Sequence, residues 1–241
     1  MQTAVAVEVA SEIRSGFARV APGDVRAAMP SLIALVAEVT RKYGAALSTH
    51  AVRDYMAART AAGVRGGFRP TPADPAPLPQ VSAMTGWATR DLRVIEPRTA
   101  PTAPLPPPSE EVIQAAERDL VAGAEKLTLN AARNTVAQNV ERDRQAVGWY
   151  FATDADPCYW CALIASRSIV FQHDSFEISN KQFVGKGRAK VHNNCRCNLA
   201  PAFSRSMTLP DINQRALEVY KARGEGDALN AFRKAWEARS R

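Results

Sequence analysis

Apolar residues recur at helical spacing through the N-terminal part of the chain. The clearest series lies between residues 32 and 55, where an apolar side chain returns every three or four positions. This spacing places the series on one face of an α-helix, because a half-buried strand would alternate every second residue. The pattern predicts that this face packs in a core. Its members are Leu32, Val36, Val39, Tyr43, Leu47, Ala51 and Tyr55.

Capping and helix-breaking residues set the limits of the N-terminal helices. A first helix is predicted over residues 4–20, where a Pro-Gly pair follows. Asp24 is a suitable N-cap for a second, longer helix, because its carboxylate can accept a hydrogen bond from a free backbone amide. The glycines after residue 62 are expected to end this helix. Residues 1–69 are therefore interpreted as a helical N-terminal part.

Proline dominates the next stretch of the chain. Eleven of the 16 prolines lie between residues 70 and 108, and both ends of this stretch are too rich in proline for a helix. Its middle, VSAMTGWATRDLRVIE, is predicted to hold a short helix or an apolar anchor around Trp87. We interpret residues 70–108 as a Pro-rich arm, either a flexible spacer or a segment that lies along a partner.

The residues after the arm favour helices again. Ser109, which two glutamates follow, is typical of a helix start. The apolar spacing suits a helix to about residue 147, with a break near Asn130 or Asn134. The charged residues on this helix are expected to form ion pairs within it or to brace the region that follows: they are Arg133, Arg142, Asp143 and Arg144.

The C-terminal part combines an irregular region with two short helices. From residue 149 to 203 the pattern predicts loops and brief strands, and further helices are expected to begin at Asp211 and Asp227. The fold class is therefore mainly α, with a small α+β C-terminal module. We assign this module to residues 109–205 and a C-terminal helical tail to residues 206–241.

Composition and charge narrow the classes of protein further. No apolar run approaches the roughly 18–20 residues of a membrane-spanning helix, and the N-terminus lacks the basic and apolar regions of a secretory signal. We expect a soluble globular protein that is made inside a cell and does not bind a membrane. The net charge of +7 weakly favours an anionic partner.

All four cysteines lie in the irregular region, as Cys158-x-x-Cys161 and Cys195-x-Cys197. Two thiolates at either spacing can bind the same ion, and a structural zinc needs four ligands. His192 is a fifth candidate, so either all four cysteines bind or His192 replaces Cys195 or Cys197. The spacing predicts a zinc site, with reduced thiols that simply pack together, or one or two disulfides, as alternatives.

The surroundings of the cysteines favour a structural zinc over a catalytic one. A catalytic site keeps an open coordination position and needs a nearby acid–base residue. No His-Glu-x-x-His motif is present in the sequence. The metal would therefore hold together a loop region that cannot bury a core of its own.

A run of basic residues lies between the two cysteine pairs. Residues 181–196 carry five positive charges and no negative one. Such a loop can bind phosphate, which makes it a candidate nucleic-acid contact, and a solvated basic loop is the alternative. The five residues are Lys181, Lys186, Arg188, Lys190 and Arg196.

Two segments of the sequence resemble MuF-like minor capsid proteins of tailed phages, particularly actinobacterial phages. One segment runs from AARNTVAQNVERDRQAVGWYFATDADPCYWCALIASRSIVF to VHNNCRCNLAPAF, and the other is LIALVAEVTRKYGAALSTHAVRDYMAAR. The resemblance covers roughly residues 24–68 and 109–203. By position, the four cysteines and His192 match the cysteine–histidine motif of that family, whereas Asn194 stands where many relatives have a second histidine.

The resemblance implies a virion component inside the phage head. Such proteins lie near the portal, are made in the host cytoplasm, and act in head morphogenesis or in DNA packaging and ejection. The expected partners are the portal protein or the major capsid protein, with several copies of the chain per virion. Packaged DNA is a further candidate partner.

Two enzymatic alternatives remain open. Relatives are often labelled capsid maturation proteases. Ser166 or Ser168, together with His192, would supply the residue types of a protease site. The sequence shows no identifiable orienting group or oxyanion site beside them. A zinc-dependent nuclease or DNA-binding module is the other alternative, prompted by the His-Asn-Asn sequence beside the cysteines. We favour a protein without enzymatic activity.

Overall fold

The computed structural model describes residues 2–20, 25–93, 108–153, 156–169, 195–222 and 228–239. Most of these residues lie in α-helices, and two short strands form a sheet, which confirms a mainly α fold with a small α+β C-terminal module. In chain order the elements are α1 (Gln2–Val20), α2 (Val25–Ala61), α3 (Leu78–Ala88), α4 (Glu110–Arg142), β1 (Gly148–Ala152), α5 (Tyr159–Ala165), β2 (Asn198–Ala202), α6 (Asp211–Ala222) and α7 (Ala228–Glu237). Across the described ranges, no helix has the length and apolarity that a bilayer crossing requires.

The chain divides into two compact units. Unit 1 contains α1, α3, the part of α2 up to Leu47 and the part of α4 up to Ala131. Unit 2 contains the remaining parts of α2 and α4, both strands and helices α5 to α7. The boundaries drawn from the sequence, at residues 69, 108 and 205, stay predictions.

The core of unit 1 is apolar and joins its four helical segments. α1 buries Val9, Ile13 and Phe17, which recur every four residues on one face. α1 and α2 lie close together at Gly16, where an added Cβ atom would come within 2.2 Å of a methyl carbon of Leu35. Other buried members of this core are Leu32, Val36, Val39, Val81, Ala88, Leu92, Ala116, Leu120, Val121, Ala124 and Leu127.

The apolar series on α2 is buried, which confirms the predicted core packing. Six of its seven members are buried, and Tyr43 is partly buried. The hydroxyl of Tyr43 donates a hydrogen bond to the Glu12 carboxylate at 2.7 Å. Tyr43 therefore places its ring against the core and its polar end at the surface of unit 1.

The middle of the proline-rich stretch forms α3, so the structure shows the short helix that was one of the two alternatives. Val81, Thr85 and Ala88 are the buried residues of this helix. Trp87 is 47% exposed and has the Arg90 guanidinium 4.5 Å from its ring centroid. The predicted arm stays a prediction, because residues 94–107 lie outside the described residues.

α4 differs from its prediction in two respects. The helix continues without a break through Asn130 and Asn134, and it ends at Arg142 rather than near residue 147. It ends there because the Asp143 carboxylate accepts a hydrogen bond from the backbone amide of Gln145 at 3.1 Å. Such a local bond stabilises a turn in competition with a further helical turn.

The two strands confirm the prediction of brief strands near the cysteines. β1 and β2 pair antiparallel, with Gly148 opposite Ala202 and Ala152 opposite Asn198. α5 packs against β1 and against both C-terminal helices. The sheet and α5 therefore pack together in unit 2.

α6 and α7 confirm the two predicted C-terminal helices, although the proposed cap Asp227 lies outside the described residues. The Asn213 amide on α6 donates to the backbone oxygens of Phe151 and Ala165, at 2.8 and 3.2 Å. On α7, the indole nitrogen of Trp236 donates to the Pro157 oxygen at 3.0 Å. Both helices thus hold segments that flank the first cysteine pair. Their apolar core consists of Ala162, Ala216, Val219, Phe232 and Trp236.

A buried ion pair connects α2 to the end of α4 within unit 2. The Arg59 Nε atom lies 2.9 Å from Asp143 Oδ2, and the two side chains are only 5% and 2% exposed. The Tyr55 hydroxyl donates to the same carboxylate at 3.4 Å. Burial and the nearby charge of Asp143 raise the pKa of Tyr55 well above its usual value. Of the two roles predicted for Asp143, the ion pair within its own helix is wrong, because Arg59 reaches it from α2.

The Arg59→Met substitution is expected to lower the free energy of unfolding by about 3–5 kcal/mol, because it leaves the Asp143 carboxylate buried without its cation. Urea unfolding followed by circular dichroism measures this change. Arg41→Met is the matched control, since Arg41 pairs with Glu38 at an exposed site and its loss is expected to cost less than about 1 kcal/mol. Equal effects of the two substitutions would contradict a structural role for the buried pair.

Candidate metal centre

Three cysteine sulfurs lie together in unit 2. The Sγ atoms of Cys161, Cys195 and Cys197 are within 4.8 Å of one another, and those of Cys161 and Cys195 are 3.5 Å apart. These three residues are buried, and none of the four cysteines, all of which the structure describes, forms a disulfide bond. We call these three sulfurs the sulfur cluster.

Secondary structure brings the sulfurs together from distant parts of the sequence. Cys161 lies in the first turn of α5, and Cys158 is the N-cap residue of that helix. Cys197 immediately precedes β2, which pairs with β1, and α5 packs against β1. The two predicted cysteine pairs therefore meet because one strand pairing and one helix–strand contact place them side by side.

Cys158 lies next to the sulfur cluster but at the surface. The residue is exposed, yet its thiol forms a hydrogen bond with the thiol of Cys161. This arrangement makes Cys158 a candidate for the fourth position of a metal site. His192, the other candidate, lies outside the described residues, so the ligand set of five predicted from the sequence stays a prediction.

The donor set and its spacing fit a thiolate-bound metal ion. Zinc binds thiolate sulfur at about 2.3 Å, so two sulfurs of a tetrahedral site are about 3.8 Å apart. The separation of 3.5 Å between the Cys161 and Cys195 sulfurs is close to this value and far longer than a disulfide bond of about 2.05 Å. Since the three sulfurs are buried, the arrangement suits a closed structural site better than a catalytic site open to water.

Hydrogen bonds between the thiols shift two pKa values in opposite directions. Bonds with Cys158, Cys195 and Cys197 raise the pKa of Cys161, and burial raises it further. Bonds with Cys161 and Cys197, together with the charge of Arg133, hold the pKa of Cys195 well below its usual value. The surroundings thus stabilise negative charge on one sulfur, which is the form that binds a metal.

Arg133 on α4 is buried, and its side chain contacts the backbone of the second cysteine pair. Its Nη2 atom donates to the carbonyl oxygens of Cys195 and Cys197, at 2.7 and 2.6 Å, and its Nε atom donates to the Cys197 oxygen at 2.9 Å. The side chain therefore braces the cysteine segment through its backbone. The sequence carried a signal for this burial, because Val136, Ala137 and Val140 place Arg133 on an apolar helix face.

The predicted basic loop stays a prediction. Lys181, Lys186, Arg188 and Lys190 lie outside the described residues. Arg196 is exposed, between the buried residues Cys195 and Cys197.

The serines considered for a protease lie near the end of α5. Ser166 is buried, and its hydroxyl donates to the Leu163 oxygen at 2.7 Å. That hydroxyl is therefore used to stabilise the end of its own helix. Ser168 has a left-handed backbone with φ of 62°. Since His192 is outside the described residues, the serine–histidine pairing stays a prediction.

Comparison with known proteins gives one family. A family model described as VG15 protein matches residues 1–222. The matched range contains helices α1 to α6, both strands and all four cysteines. No curated protein and no solved structure matches the chain.

The purified chain is expected to hold about one divalent metal ion, because the cluster supplies the ligand type and spacing of a single site. Cys161→Ser and Cys195→Ser are each expected to reduce the metal content to near zero and to lower the thermal midpoint of unfolding, since metal binding and folding are coupled. Elemental analysis and thermal unfolding with and without a chelator measure both effects.

Ser166→Ala is the control for these substitutions, because it changes a buried hydroxyl in the same part of the chain without removing a sulfur. This variant is expected to keep its full metal content. If Cys161→Ser also keeps the metal, the three sulfurs do not form the site.

Proposed function

Because the chain belongs to the VG15 protein family, a family of phage genes, we propose that it is a minor capsid protein in the head of a tailed phage. The single observation that carries this proposal is the family match over residues 1–222. The ordered resemblance to MuF-like proteins around the cysteines supports the finer assignment to the head. The chain would lie inside the head near the portal and act in head morphogenesis or in DNA packaging and ejection.

The form of the sulfur cluster supports a structural protein rather than an enzyme. Its sulfurs are buried, and Arg133 hydrogen-bonds to the backbone of the segment that carries two of them. A site of this kind stabilises a fold and leaves little space for a substrate. The role proposed for the C-terminal module is therefore that of a rigid part of the virion.

The metal that we propose for the cluster is zinc. Cys161, Cys195 and Cys197 would hold it, with Cys158 or His192 as the fourth ligand. Zinc is not redox-active and supplies a stable tetrahedral link between the two cysteine pairs. A metal–thiolate link also suits a protein folded in the host cytoplasm, where disulfides rarely persist.

The partners follow from the proposed location. A chain near the portal would contact the portal protein or the inner surface of the major capsid protein, in several copies per virion. The net charge of +7 favours packaged DNA as a further contact, and the basic loop 181–196 is the segment proposed for it.

Purified phage heads are expected to contain this chain at a copy number well below that of the major capsid protein. Quantitative mass spectrometry measures the copy number, and localised reconstruction of heads with a tagged chain gives its position relative to the portal. Empty heads assembled without DNA are the control, because they separate binding to the portal from binding to DNA. Absence of the chain from purified heads would contradict the proposal.

A phage that carries Cys161→Ser or Cys195→Ser is expected to assemble heads with several-fold less of this chain, because the destabilised module would be degraded before assembly. The Ser166→Ala phage is the matched control and is expected to incorporate the normal amount. Normal incorporation of both cysteine variants would show that the cluster is not needed for the head role.

A further inference from the structure

Arg133 is a buried cation that hydrogen-bonds to the backbone oxygens of two residues of the sulfur cluster, Cys195 and Cys197. Its side chain is 1% exposed and ranks among the largest fully buried side chains of the described residues. Moving a guanidinium out of water costs several kcal/mol unless hydrogen bonds and negative charge compensate it. The burial of Arg133 therefore needs a source of compensation that the fold retains.

Hydrogen bonds supply the first part of this compensation. The three bonds to the Cys195 and Cys197 oxygens are 2.6 to 2.9 Å long, close to the usual lengths for a charged N–H donor. Carbonyl groups are neutral, however, so they satisfy the donors without balancing the positive charge.

The cysteine sulfurs supply the second part. The groups whose charge acts on the Arg133 guanidinium include the thiols of Cys195, Cys197 and Cys161. A divalent ion bound by three or four thiolates leaves a net charge of −1 or −2 on the site, because thiols bind metals in deprotonated form. A buried arginine next to such a site offsets one unit of this negative charge.

We propose that Arg133 is the positioning residue and the counterion of a thiolate metal site formed by Cys161, Cys195 and Cys197. Its hydrogen bonds fix the backbone of the second cysteine pair, so that both sulfurs of that pair face Cys161. Its positive charge favours the metal-bound, anionic state of the sulfurs over the metal-free thiols. This inference rests on the metal site of the proposed function and assigns a further residue to it.

Cobalt(II) titration of the full-length, reduced, metal-free chain tests this role. Cobalt reports thiolate binding through its sulfur-to-metal charge-transfer band and its visible bands. Arg133→Gln, which keeps donors but removes the charge, is expected to weaken cobalt affinity by about 10–100-fold and to shift the charge-transfer band. Arg133→Lys, which restores the charge, is expected to recover part of the affinity.

Arg142→Gln is the matched control. Arg142 lies on the same helix, but it is exposed and hydrogen-bonds to the side chain of Thr71. Its substitution is expected to leave cobalt affinity and spectrum unchanged. Wild-type affinity and spectrum in Arg133→Gln would overturn the proposal for Arg133 while leaving the metal site intact.

Two further outcomes are distinguishable. If the wild-type chain binds no cobalt, the proposed metal site is wrong, and the proposed role of Arg133 is wrong with it.

If the Arg133 variants do not fold, nuclear magnetic resonance of the wild-type chain with cadmium still tests the role of Arg133. The Arg133 Nε–H signal is expected to shift and to exchange more slowly with water when cadmium binds, and an unchanged signal would overturn the proposal.

Discussion

Buried polar side chains on the helices of unit 2 bind backbone atoms of its irregular segments, and the position of the sulfurs depends on these bonds. Arg133 binds the oxygens of Cys195 and Cys197, Asn213 binds that of Ala165 at the end of α5, and Trp236 binds that of Pro157. A buried donor without a partner costs about 1–3 kcal/mol, so each bond strongly favours one position of its segment. The cysteine-bearing segments are thus placed by the fold, and a metal ion would find its ligands already close together.

The parts of the fold in which apolar residues recur at a regular spacing were predictable from the sequence. The apolar series that begins at Leu32 identified a buried helix face, and the weak pattern around the cysteines identified short strands. The partner of Asp143 was not predictable, because Arg59 is 84 positions away in the sequence. A local pattern carries no information about such a pair.

The candidate site was predictable in its residue types but not in its supporting contacts. The spacing of the cysteines indicated that two pairs would meet, and the structure places three of the four sulfurs in one cluster. The sequence left two roles open for Arg133, an ion pair within its own helix or a brace for the region that follows. The structure decides between them, because the buried Arg133 guanidinium binds the Cys195 and Cys197 oxygens, whereas Arg142 on the same helix is exposed.

Within the described residues, buried polar contacts accompany the apolar core that α5, α6 and α7 share. The helices of unit 1 bury a large apolar core, whereas α5 to α7 share a much smaller one. A small core is usually supplemented by a metal or by disulfides. The zinc that we propose would have this function, and in the proposed head role it would keep the shape of the C-terminal module during assembly.

The contact between Cys161 and Cys195 also has a consequence for how related sequences can vary. These residues are 34 positions apart in the chain yet adjacent in space, so the chain between them forms a closed loop. Doubling the length of such a loop adds only about 0.6 kcal/mol of closure entropy. The entropy cost of bringing Cys161 and Cys195 together therefore depends only weakly on the number of residues between them, so related chains that keep both sulfurs can differ in that number at little cost in closure entropy.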